Sequence, residues 1–314
     1  MSETTSSNIL MIRPANFGFN PETAASNFYQ QQDERPISDL HEIARQEFDG
    51  FVAMLRAEDI NVIVIEDTPL PVKTDAVFPN NWFTTHMDGK LILYPMASSI
   101  RRLERRSDIV DILADKGFVV DEIIDLTFFE EDNQFLEGTG SVIIDRENQV
   151  IYAGLSERTH MIPLQYLSQL LGYELVTFHT VQTVKGTESP IYHTNVMMHV
   201  GTDIAVVCLE CIASEKERLN LKDHLMRSGK LIIPITAHQK FAFAGNMLEV
   251  KNSKGQRFTI MSRTAYDNLK IAQKQAIMRF TKIIAPPIPL IEKLGGGSAR
   301  CMLAEIFLPE GVKR

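Results

Sequence analysis

A short structural unit recurs along this chain: a β-hairpin, then a helix, then a further strand. Three hairpins are evident, each with a polar or glycine-containing turn between apolar runs, at residues 141–153, 195–209 and 247–261. Helical periodicity and another apolar strand follow each of them. The unit returns at a spacing of roughly 50–60 residues, and repeats of that period are typical of arrays and propellers. This repeat restricts the fold more than any single motif does.

The repeat favours one domain over residues 1–314, built from about five units. No segment rich in proline, glycine and serine divides the chain. A closed ring of α/β units around a central pore would bury a continuous core and bring loops together at one end. An ordinary layered α/β sandwich is the alternative, because periodicity does not distinguish the two.

The same periodicity predicts five longer helices. Ser38 is the predicted N-cap of the first, and Gly117 is predicted to end the second. The third is expected to begin at Pro163, because proline suits a first helical position. These helices are predicted over 37–59, 100–117, 163–172, 214–228 and 264–280.

The charge balance and the cysteine count exclude some partners. With a net charge of −8 and a pI of about 5.6, the chain lacks the basic surface that non-specific nucleic-acid binding requires. No apolar run approaches the ~20 residues of a membrane-spanning helix, and residues 1–8 lack the features of a secretory signal. Three cysteines are poorly suited to a disulfide framework and favour a reducing, cytoplasmic location. We therefore expect no nucleic-acid and no membrane partner.

Two of the cysteines, Cys208 and Cys211, have the CxxC spacing that occurs in zinc and redox sites. The sequence has no second pair of this kind, and the residues before Cys211 are mostly apolar. We interpret the pair as part of a strand and its core, in preference to a metal or redox site.

The third cysteine, Cys301, follows the three consecutive glycines 295–297. Glycine has no Cβ, so this backbone can adopt positive φ and let another group approach closely. Residues 282–288 and 304–308 are predicted to include flanking strands, which would place the thiol on a glycine loop between them. From the loop alone, two interpretations stay open: a nucleophile, or a tight turn followed by a small buried hydrophobic residue.

Glu137 and His193 are candidates for acid–base chemistry. Glu137 lies between an apolar pair and a glycine turn, so its carboxylate faces either a pocket or solvent. His193 is predicted just before a strand, and histidine titrates nearest neutral pH. A half-buried structural histidine is the alternative, and the chain has eight histidines. Residue chemistry alone therefore singles out neither side chain.

Four segments taken together resemble the guanidine-modifying superfamily, and they are 135–138, 153–159, 193–195 and 295–302. Its members include arginine deiminases, dimethylarginine dimethylaminohydrolases and amidinotransferases, which share a five-bladed α/β propeller called the pentein fold. The resemblance extends from Arg13 to Cys301, and the order and spacing of the motifs carry it. Within the superfamily, segment 75–83 is most similar to the group of citrulline-utilisation hydrolases. The resemblance implies a single catalytic domain that needs no cofactor and no metal.

The resemblance also implies a catalytic set. Cys301 resembles the nucleophile that attacks the central carbon of a guanidino or ureido group. His193 resembles the general acid and base that protonates the leaving amine and then activates water. Glu137 resembles the carboxylate that binds substrate nitrogens and orients His193. A covalent thiouronium or carbamoyl-thioester intermediate is implied, and a thiol needs a cationic neighbour or substrate to form the reactive thiolate.

Further residues resemble the substrate-binding positions of the superfamily. Arg158 resembles the arginine that binds the substrate α-carboxylate, because a guanidinium forks onto a carboxylate. Arg101 resembles a second carboxylate clamp; alternatively it belongs to a solvated helix with three further arginines. Asp75 resembles the acid that binds the α-ammonium group. The full set is Arg158, Arg101, Asp75, Asn80, Asn81 and Asn195.

The chain departs from the superfamily pattern at the reacting end of the substrate. Asn81 and Asn195 occupy positions that are acidic in relatives, and Gly140 stands where deiminases often have an aspartate. A buried guanidinium without counter-charges is costly, whereas amides match a neutral ureido group with donors and acceptors. We therefore expect a cysteine hydrolase that converts the small molecule citrulline to ornithine, carbon dioxide and ammonia.

Three alternatives stay open at this point. An arginine deiminase or a dimethylarginine hydrolase would take a guanidino substrate. An amidinotransferase would let an amine, instead of water, resolve the intermediate. A catalytically silent relative would bind arginine-like ligands or a protein partner. The sequence also leaves open a homo-oligomer and a lid formed by residues 15–36.

Overall fold

The computed structural model describes residues 5–184 and 186–311, with strands and helices alternating along the chain. The strands are β1 (Asn8–Arg13), β2 (Asn61–Glu66), β3 (Phe83–Thr85), β4 (Lys90–Leu93), β5 (Glu122–Asp125), β6 (Ile143–Asp145), β7 (Val150–Leu155), β8 (Glu174–His179), β9 (Gln182–Val184), β10 (Thr187–Ser189), β11 (Met198–Val200), β12 (Ile204–Val207), β13 (Leu231–Pro234), β14 (Leu248–Lys251), β15 (Arg257–Ile260), β16 (Lys282–Ile284) and β17 (Ala304–Ile306). The helices are α1 (Pro21–Ala24), α2 (Ile37–Ala57), α3 (Ser99–Arg102), α4 (Ile109–Asp115), α5 (Gly138–Ser141), α6 (Met161–Leu171), α7 (Glu215–Arg227), α8 (Ala237–Phe241), α9 (Arg263–Asn268), α10 (Ile271–Met278) and α11 (Pro289–Gly295).

Three-stranded sheets of one topology repeat along the chain. In the sheets β3-β4-β5, β6-β7-β8, β11-β12-β13 and β14-β15-β16, an antiparallel hairpin is followed by a strand parallel to its second member. A parallel neighbour requires a crossover, which helices supply in each case. The predicted unit of hairpin, helix and strand is therefore confirmed. Strands β9 and β10 form a separate two-stranded sheet.

A further sheet, β17-β1-β2, joins the two ends of the described chain. Strand β1 pairs in parallel with β2 and antiparallel with β17, with Asn8 opposite Ile306. The Ser6 hydroxyl also donates to the carbonyl of Ile306 at 2.7 Å. This sheet has the same antiparallel and parallel pairings as the other four, but its members come from opposite ends of the sequence.

The first strand of each hairpin is buried and contacts neighbouring sheets. Strand β17 contacts β3, and β11 contacts both β6 and β14. The long helix α2 covers the outside of β1 and β2 with an apolar stripe that includes Leu40, Phe48, Phe51 and Leu55. The ends of these buried strands therefore lie close to one another, and the candidate active site described below lies at these ends.

Several predicted helix boundaries are wrong, because tertiary contacts override local periodicity. Ser38 is not a cap: Pro36 holds the N-cap position of α2. The helix predicted over 100–117 is interrupted between α3 and α4. In this interruption, the side chains of Arg105 and Arg106 donate hydrogen bonds to carbonyl oxygens of other segments. The helix predicted over 264–280 is interrupted where the extended, buried Leu269 enters the core. Helix α6 begins two residues before Pro163.

Short helical turns replace the starts of two predicted strands. Residues Gly138–Ser141 form α5, so β6 begins at Ile143 and not at 141. Residues Thr194–Val196 form a 3-10 turn, so β11 begins at Met198 and not at 195. The segments that follow Glu137 and His193 are thus turned instead of extended.

The described residues contain neither a helix suited to cross a membrane nor a cluster of metal-binding side chains. No helix in 5–184 or 186–311 combines the length and apolar character needed to cross a membrane. In the same ranges, no group of three His, Cys, Asp or Glu side chains is arranged to hold a metal ion. Residues 1–8 were predicted not to form a secretory signal, and the first four of them lie outside the described residues.

A pair of glycine substitutions tests the helix assignments. Gly50 lies inside α2 with open space around its Cα, so Gly50→Ala is expected to stabilise the protein by about 0.5–1 kcal/mol. Gly172 also has open space but ends α6 with φ 68°, so Gly172→Ala should destabilise it. Thermal unfolding midpoints measure both changes. A rise, or no change, for Gly172→Ala would contradict the left-handed helix end.

Candidate active site

A cavity of about 280 Å³ brings most of the predicted site residues together. Its lining consists of Thr23, Asn27, Asp75, Phe78, Asn81, Arg101, Arg158, Tyr192, His193, Gly295, Gly297 and Cys301. Glu137 and Asn195 hydrogen-bond to members of this lining. Asn80 instead bonds to Thr139. Residues that are far apart in sequence therefore meet in one small polar chamber.

Cys301 lies in a 3-10 turn, Ala299–Met302. The predicted glycine loop between two strands is wrong, because helix α11 precedes this turn. Pro289 occupies the first turn of α11, where its missing N–H is harmless. Gly296 ends the helix in the left-handed region with φ 62°.

The glycines beside the thiol make room for an aromatic ring. A Cβ built on Gly295 or Gly297 would lie 2.6 or 3.0 Å from the ring of Phe78, closer than ordinary contact. The Tyr192 hydroxyl donates to the carbonyl of Gly296 at 2.7 Å. This loop is therefore packed against two aromatic residues of the cavity wall.

Amide groups surround the Cys301 sulfur. Asn195 Nδ2 lies 3.5 Å and Asn246 Nδ2 lies 3.3 Å from Sγ. Asn246 is held in place because its Oδ1 accepts from the Arg300 N–H at 3.0 Å and its Nδ2 donates to the Asn195 carbonyl. Sequence reasoning missed Asn246, since nothing around position 246 resembles a motif. The buried sulfur thus faces uncharged donors.

His193 and Glu137 form a buried pair in which Nε2 and Oε2 are 2.7 Å apart. Burial lowers the pKa of His193 to about 4, although the Glu137 charge opposes this effect. The imidazole is therefore neutral near pH 7. Its bond to an ionised carboxylate places the proton on Nε2, so Nδ1 is left to exchange protons with other groups.

Glu137 stays ionised although it is fully buried. Burial raises the pKa of this carboxyl, but the Arg158 charge and the His193 hydrogen bond together bring it well below its ordinary value. The guanidinium groups of Arg158 and Arg101 come within 3.7 and 4.0 Å of Oε2. The other oxygen accepts from the Ala97 N–H at 3.0 Å. Glu137 therefore orients the imidazole and holds both arginines near the cavity.

Arg101 is buried, so its assignment to a solvated helix face is wrong. Its Nε and Nη2 donate to the two oxygens of Glu104, each at 2.9 Å, and Nη1 donates to Asn81 Oδ1 at 3.0 Å. Burial raises the pKa of Glu104 to about 7, against the opposing charge of Arg101. Sequence reasoning missed Glu104, although its spacing of three residues from Arg101 was an available signal.

Arg158 lies between the segment 20–30 and the cavity. Its Nη2 donates to the Thr23 carbonyl at 3.0 Å and to the Ser26 hydroxyl at 2.5 Å. The guanidinium group lies 5.0 Å from the centre of the Tyr192 ring. Arg158 is thus held by Thr23, Ser26 and the Glu137 carboxylate, and it lines the cavity.

Asp75 has one oxygen occupied and one without a partner. Asn20 Nδ2 donates to Oδ2 at 2.7 Å, and Arg101 Nε is 3.8 Å from the same oxygen. Oδ1 is buried and has no hydrogen-bond partner among the described residues. Burial raises the pKa of Asp75, with Arg101 opposing the shift. A buried acceptor of this kind is suited to a ligand that supplies N–H donors.

The segment from Asn20 to Gln30 forms one wall of the cavity, through Thr23 and Asn27. Asn27 Nδ2 donates to the carbonyls of Gly295 and Gly296, and Gln30 Nε2 donates to that of Leu294. Sequence reasoning missed these contacts, because an Asn- and Gln-rich composition indicates a polar loop without indicating what it covers. In this structure the segment lies against the end of α11.

The sequence of the chain matches a family model over residues 13–308, and the family is described as N,N dimethylarginine dimethylhydrolase, eukaryotic. The chain belongs to this family. The resemblance to the pentein superfamily of arginine-modifying enzymes, inferred from four short motifs, is thereby confirmed. No individually curated protein matches the chain in sequence comparison.

Solved structures of arginine-modifying enzymes share the fold at low sequence identity. ArgZ, an arginine dihydrolase from cyanobacteria, has a TM-score of 0.69 and 16% identity over 96% of this chain. AgrE, crystallised as a mutant with L-arginine, has a TM-score of 0.72 and 17% identity over 98% of this chain. This chain spans 40% of the length of each of those two proteins. A dimethylarginine dimethylaminohydrolase mutant, as an adduct with S-methyl-L-thiocitrulline, has a TM-score of 0.62 and 13% identity, covering 98% of this chain and 100% of its own.

Gly140 offers a test of the site geometry. A Cβ at this position would overlap Asn81 Nδ2 and lie 2.8 Å from Cε1 and Nδ1 of His193. An aspartate, as deiminases often carry there, would not fit either. We expect Gly140→Ala to reduce kcat by about 100-fold, because the imidazole must shift. The steady-state rate on whichever substrate the wild type turns over is the measurement, with Gly50→Ala as the control. Unchanged activity would show that His193 does not need its observed position.

Proposed function

We propose that this protein is a cysteine hydrolase that cleaves a C–N bond of the ureido group of citrulline, giving ornithine, carbon dioxide and ammonia. The observation that carries the proposal is the composition of the reacting end: Cys301 Sγ is flanked by the amides of Asn195 and Asn246. The Glu137 carboxylate, which belongs to the same proposed catalytic set as Cys301, is already paired with His193. A neutral ureido group needs amide partners and no counter-charge.

The repeated sheets support a closed arrangement of the pentein type. Five three-stranded sheets share one topology, and their first strands contact one another at several junctions. We propose that they form a five-bladed propeller and a single catalytic domain, with the cavity at one end of the central pore. The sheet that joins β1 to β17 would close the ring.

The charged part of the cavity is suited to an α-amino acid. Arg158 would bind the α-carboxylate, with Arg101 contributing positive potential nearby. The unpartnered Oδ1 of Asp75 would accept from the α-ammonium group. The side-chain amide of Asn81 lies between this region and Glu137, whose carbonyl it contacts at 3.3 Å. The amino-acid end and the ureido end would thus be recognised by different chemistry.

The proposed reaction has two stages. In the first, the neutral His193 takes the thiol proton, Cys301 Sγ bonds to the ureido carbon, and the proton passes to the departing amine as its C–N bond breaks. In the second, His193 takes a proton from water, whose oxygen attacks the carbamoyl thioester and releases the thiol. The resulting carbamic acid decomposes to carbon dioxide and an amine. The N-terminal domain of ArgZ, crystallised covalently bound to a reaction intermediate, offers a precedent within the fold.

A guanidino substrate is the second candidate, because ArgZ is named an arginine dihydrolase and AgrE was crystallised with L-arginine. The same cavity would then hold a cation at its reacting end. The extra charge would be balanced only by the thiolate and by Glu137. A reducing compartment such as the cytoplasm suits either reaction, since Cys301 must remain a free thiol.

A substrate panel separates these candidates. Citrulline, arginine, methylarginines and agmatine are assayed for ammonia and for ornithine or citrulline, with and without an amine acceptor. We expect the highest kcat/KM with citrulline, and a loss of at least about 1,000-fold in kcat for Cys301→Ala. Turnover unchanged by that substitution would eliminate the covalent mechanism. Binding without turnover by the wild type would indicate a silent relative, and efficient agmatine turnover would remove the role of Arg158.

The charge argument has its own test. Asn81→Asp combined with Asn195→Asp places carboxylates at the reacting end, so the ratio of kcat/KM for arginine to that for citrulline should rise at least about tenfold. Asn80→Asp is the matched control, because Asn80 is buried close by but does not line the cavity. A shift toward citrulline in the double variant would contradict the neutral-substrate argument.

A further inference from the structure

The CxxC pair lies in its own environment, separate from Cys301. Cys208 and Cys211 are buried at the end of β12 and in the 3-10 turn Leu209–Cys211, and their sulfur atoms are 3.1 Å apart. They belong to the hydrophobic cluster that also contains Tyr29, whereas Cys301 belongs to another. Two thiols at this distance need little movement to bond to each other.

A buried lysine supplies positive charge beside the pair. Lys240 is fully buried, and none of the ion pairs found among the described residues involves it. Its ammonium group donates to Gln182 Oε1 at 2.6 Å and lies 3.6 Å from the centre of the Phe241 ring. Burial lowers the pKa of Lys240 to about 8, and the charges of Cys211 and Cys208 oppose this effect. The ammonium group also lies 5.5 Å from the centre of the Tyr29 ring, and Tyr29 belongs to the same cluster as the two cysteines, so Lys240 is placed to act as a counter-charge for an anionic sulfur there.

The two thiols are not equivalent. The contact with the Cys208 sulfur lowers the pKa of Cys211, burial opposes this shift, and the Lys240 charge lowers the pKa further. The neighbouring Cys211 and burial both raise the pKa of Cys208. Cys211 also has a small exposed fraction, 3%, whereas Cys208 has none. Of the two thiols, Cys211 is therefore the one that a small oxidant reaches first.

We propose that Cys208 and Cys211 form a peroxide-sensitive dithiol that is oxidised reversibly to a disulfide, with Cys211 as the attacking residue and Lys240 as its counter-charge. The Cys211 thiolate attacks one oxygen of a hydroperoxide, the O–O bond breaks, and the other oxygen leaves as an alcohol or water after protonation. The sulfenic acid on Cys211 then reacts with the Cys208 thiol, and water leaves. The two sulfurs lose two electrons and the peroxide gains them. A thiol reductant reverses the change, as a reducing compartment would.

The wild-type protein provides the first test. After treatment with hydrogen peroxide, free thiols are alkylated, and the peptide that contains both residues is identified by mass spectrometry. We expect it to have lost two hydrogens and to resist alkylation until dithiothreitol is added. Oxidation of Cys301 in the same sample serves as an internal reporter that peroxide reached the protein. Both thiols remaining alkylatable once Cys301 is oxidised, or stepwise gain of oxygens on them, would overturn the proposal.

Variants in a Cys301→Ala background test the assigned roles. With Cys208→Ser, Cys211 should accumulate a sulfenic acid that dimedone traps; with Cys211→Ser, Cys208 should react much more slowly. The reverse order would overturn the assignment of Cys211. Lys240→Met should slow disulfide formation by about tenfold, because less thiolate is present. Lys274→Met, which removes another lysine stacked on an aromatic ring, is the control and should leave the rate unchanged. Equal rates for Lys240→Met and wild type would remove the role of the lysine.

Discussion

The ionised carboxylate of Glu137, enclosed without contact to solvent, is the constraint on which the rest of the site depends. A buried charge is stable only when hydrogen bonds and opposite charges compensate for lost water. Here the compensation comes from a backbone N–H, from His193, and from two arginines that each belong to a different segment. Meeting this requirement therefore positions the imidazole and the arginines together. The removal of any one partner would leave the others with an unbalanced charge.

The cavity is divided into a charged and an uncharged part. Asp75, Arg101 and Arg158 line one part of the cavity, and amides lie around the thiol. Charged groups are costly to bury, and each of these three side chains has a partner within 3.7 Å, which is Asn20 for Asp75, Glu104 for Arg101 and Glu137 for Arg158. The amide groups carry no such cost, and they add no charge beside the sulfur. The cavity therefore has charged side chains in one part and neutral hydrogen-bonding groups around Cys301.

The repeating unit was predicted from the sequence, and most of the predicted site residues line one cavity, but the contacts that hold them were not predicted. Many strand positions could be predicted because short apolar runs, such as those of β1, β7 and β12, mark buried strands. The helices over 100–117 and 264–280 were wrong because Arg105, Arg106 and Leu269 gain more from tertiary contacts than from continuing a helix. Helix α11 was missed because Pro289 indicates a helix start as readily as a strand end. Asn246 and Asn20 could not be predicted from the sequence, because a single amide in a loop forms no recognisable pattern. They matter only through their contacts with Cys301 and Asp75.

The pairing of β17 with β1 has a consequence for the order in which the protein is made. Chains emerge from the ribosome with the N-terminal segment first, so β1 and β2 are present long before β17. Until then β1 is an open edge with unpaired backbone groups, and such edges are prone to associate with other chains. Cys301 lies three residues before β17, so the thiol and the strand that covers this edge appear at nearly the same moment. The proposed nucleophile therefore enters its site only when the first sheet is complete, and partly synthesised chains carry neither the thiol nor a finished cavity.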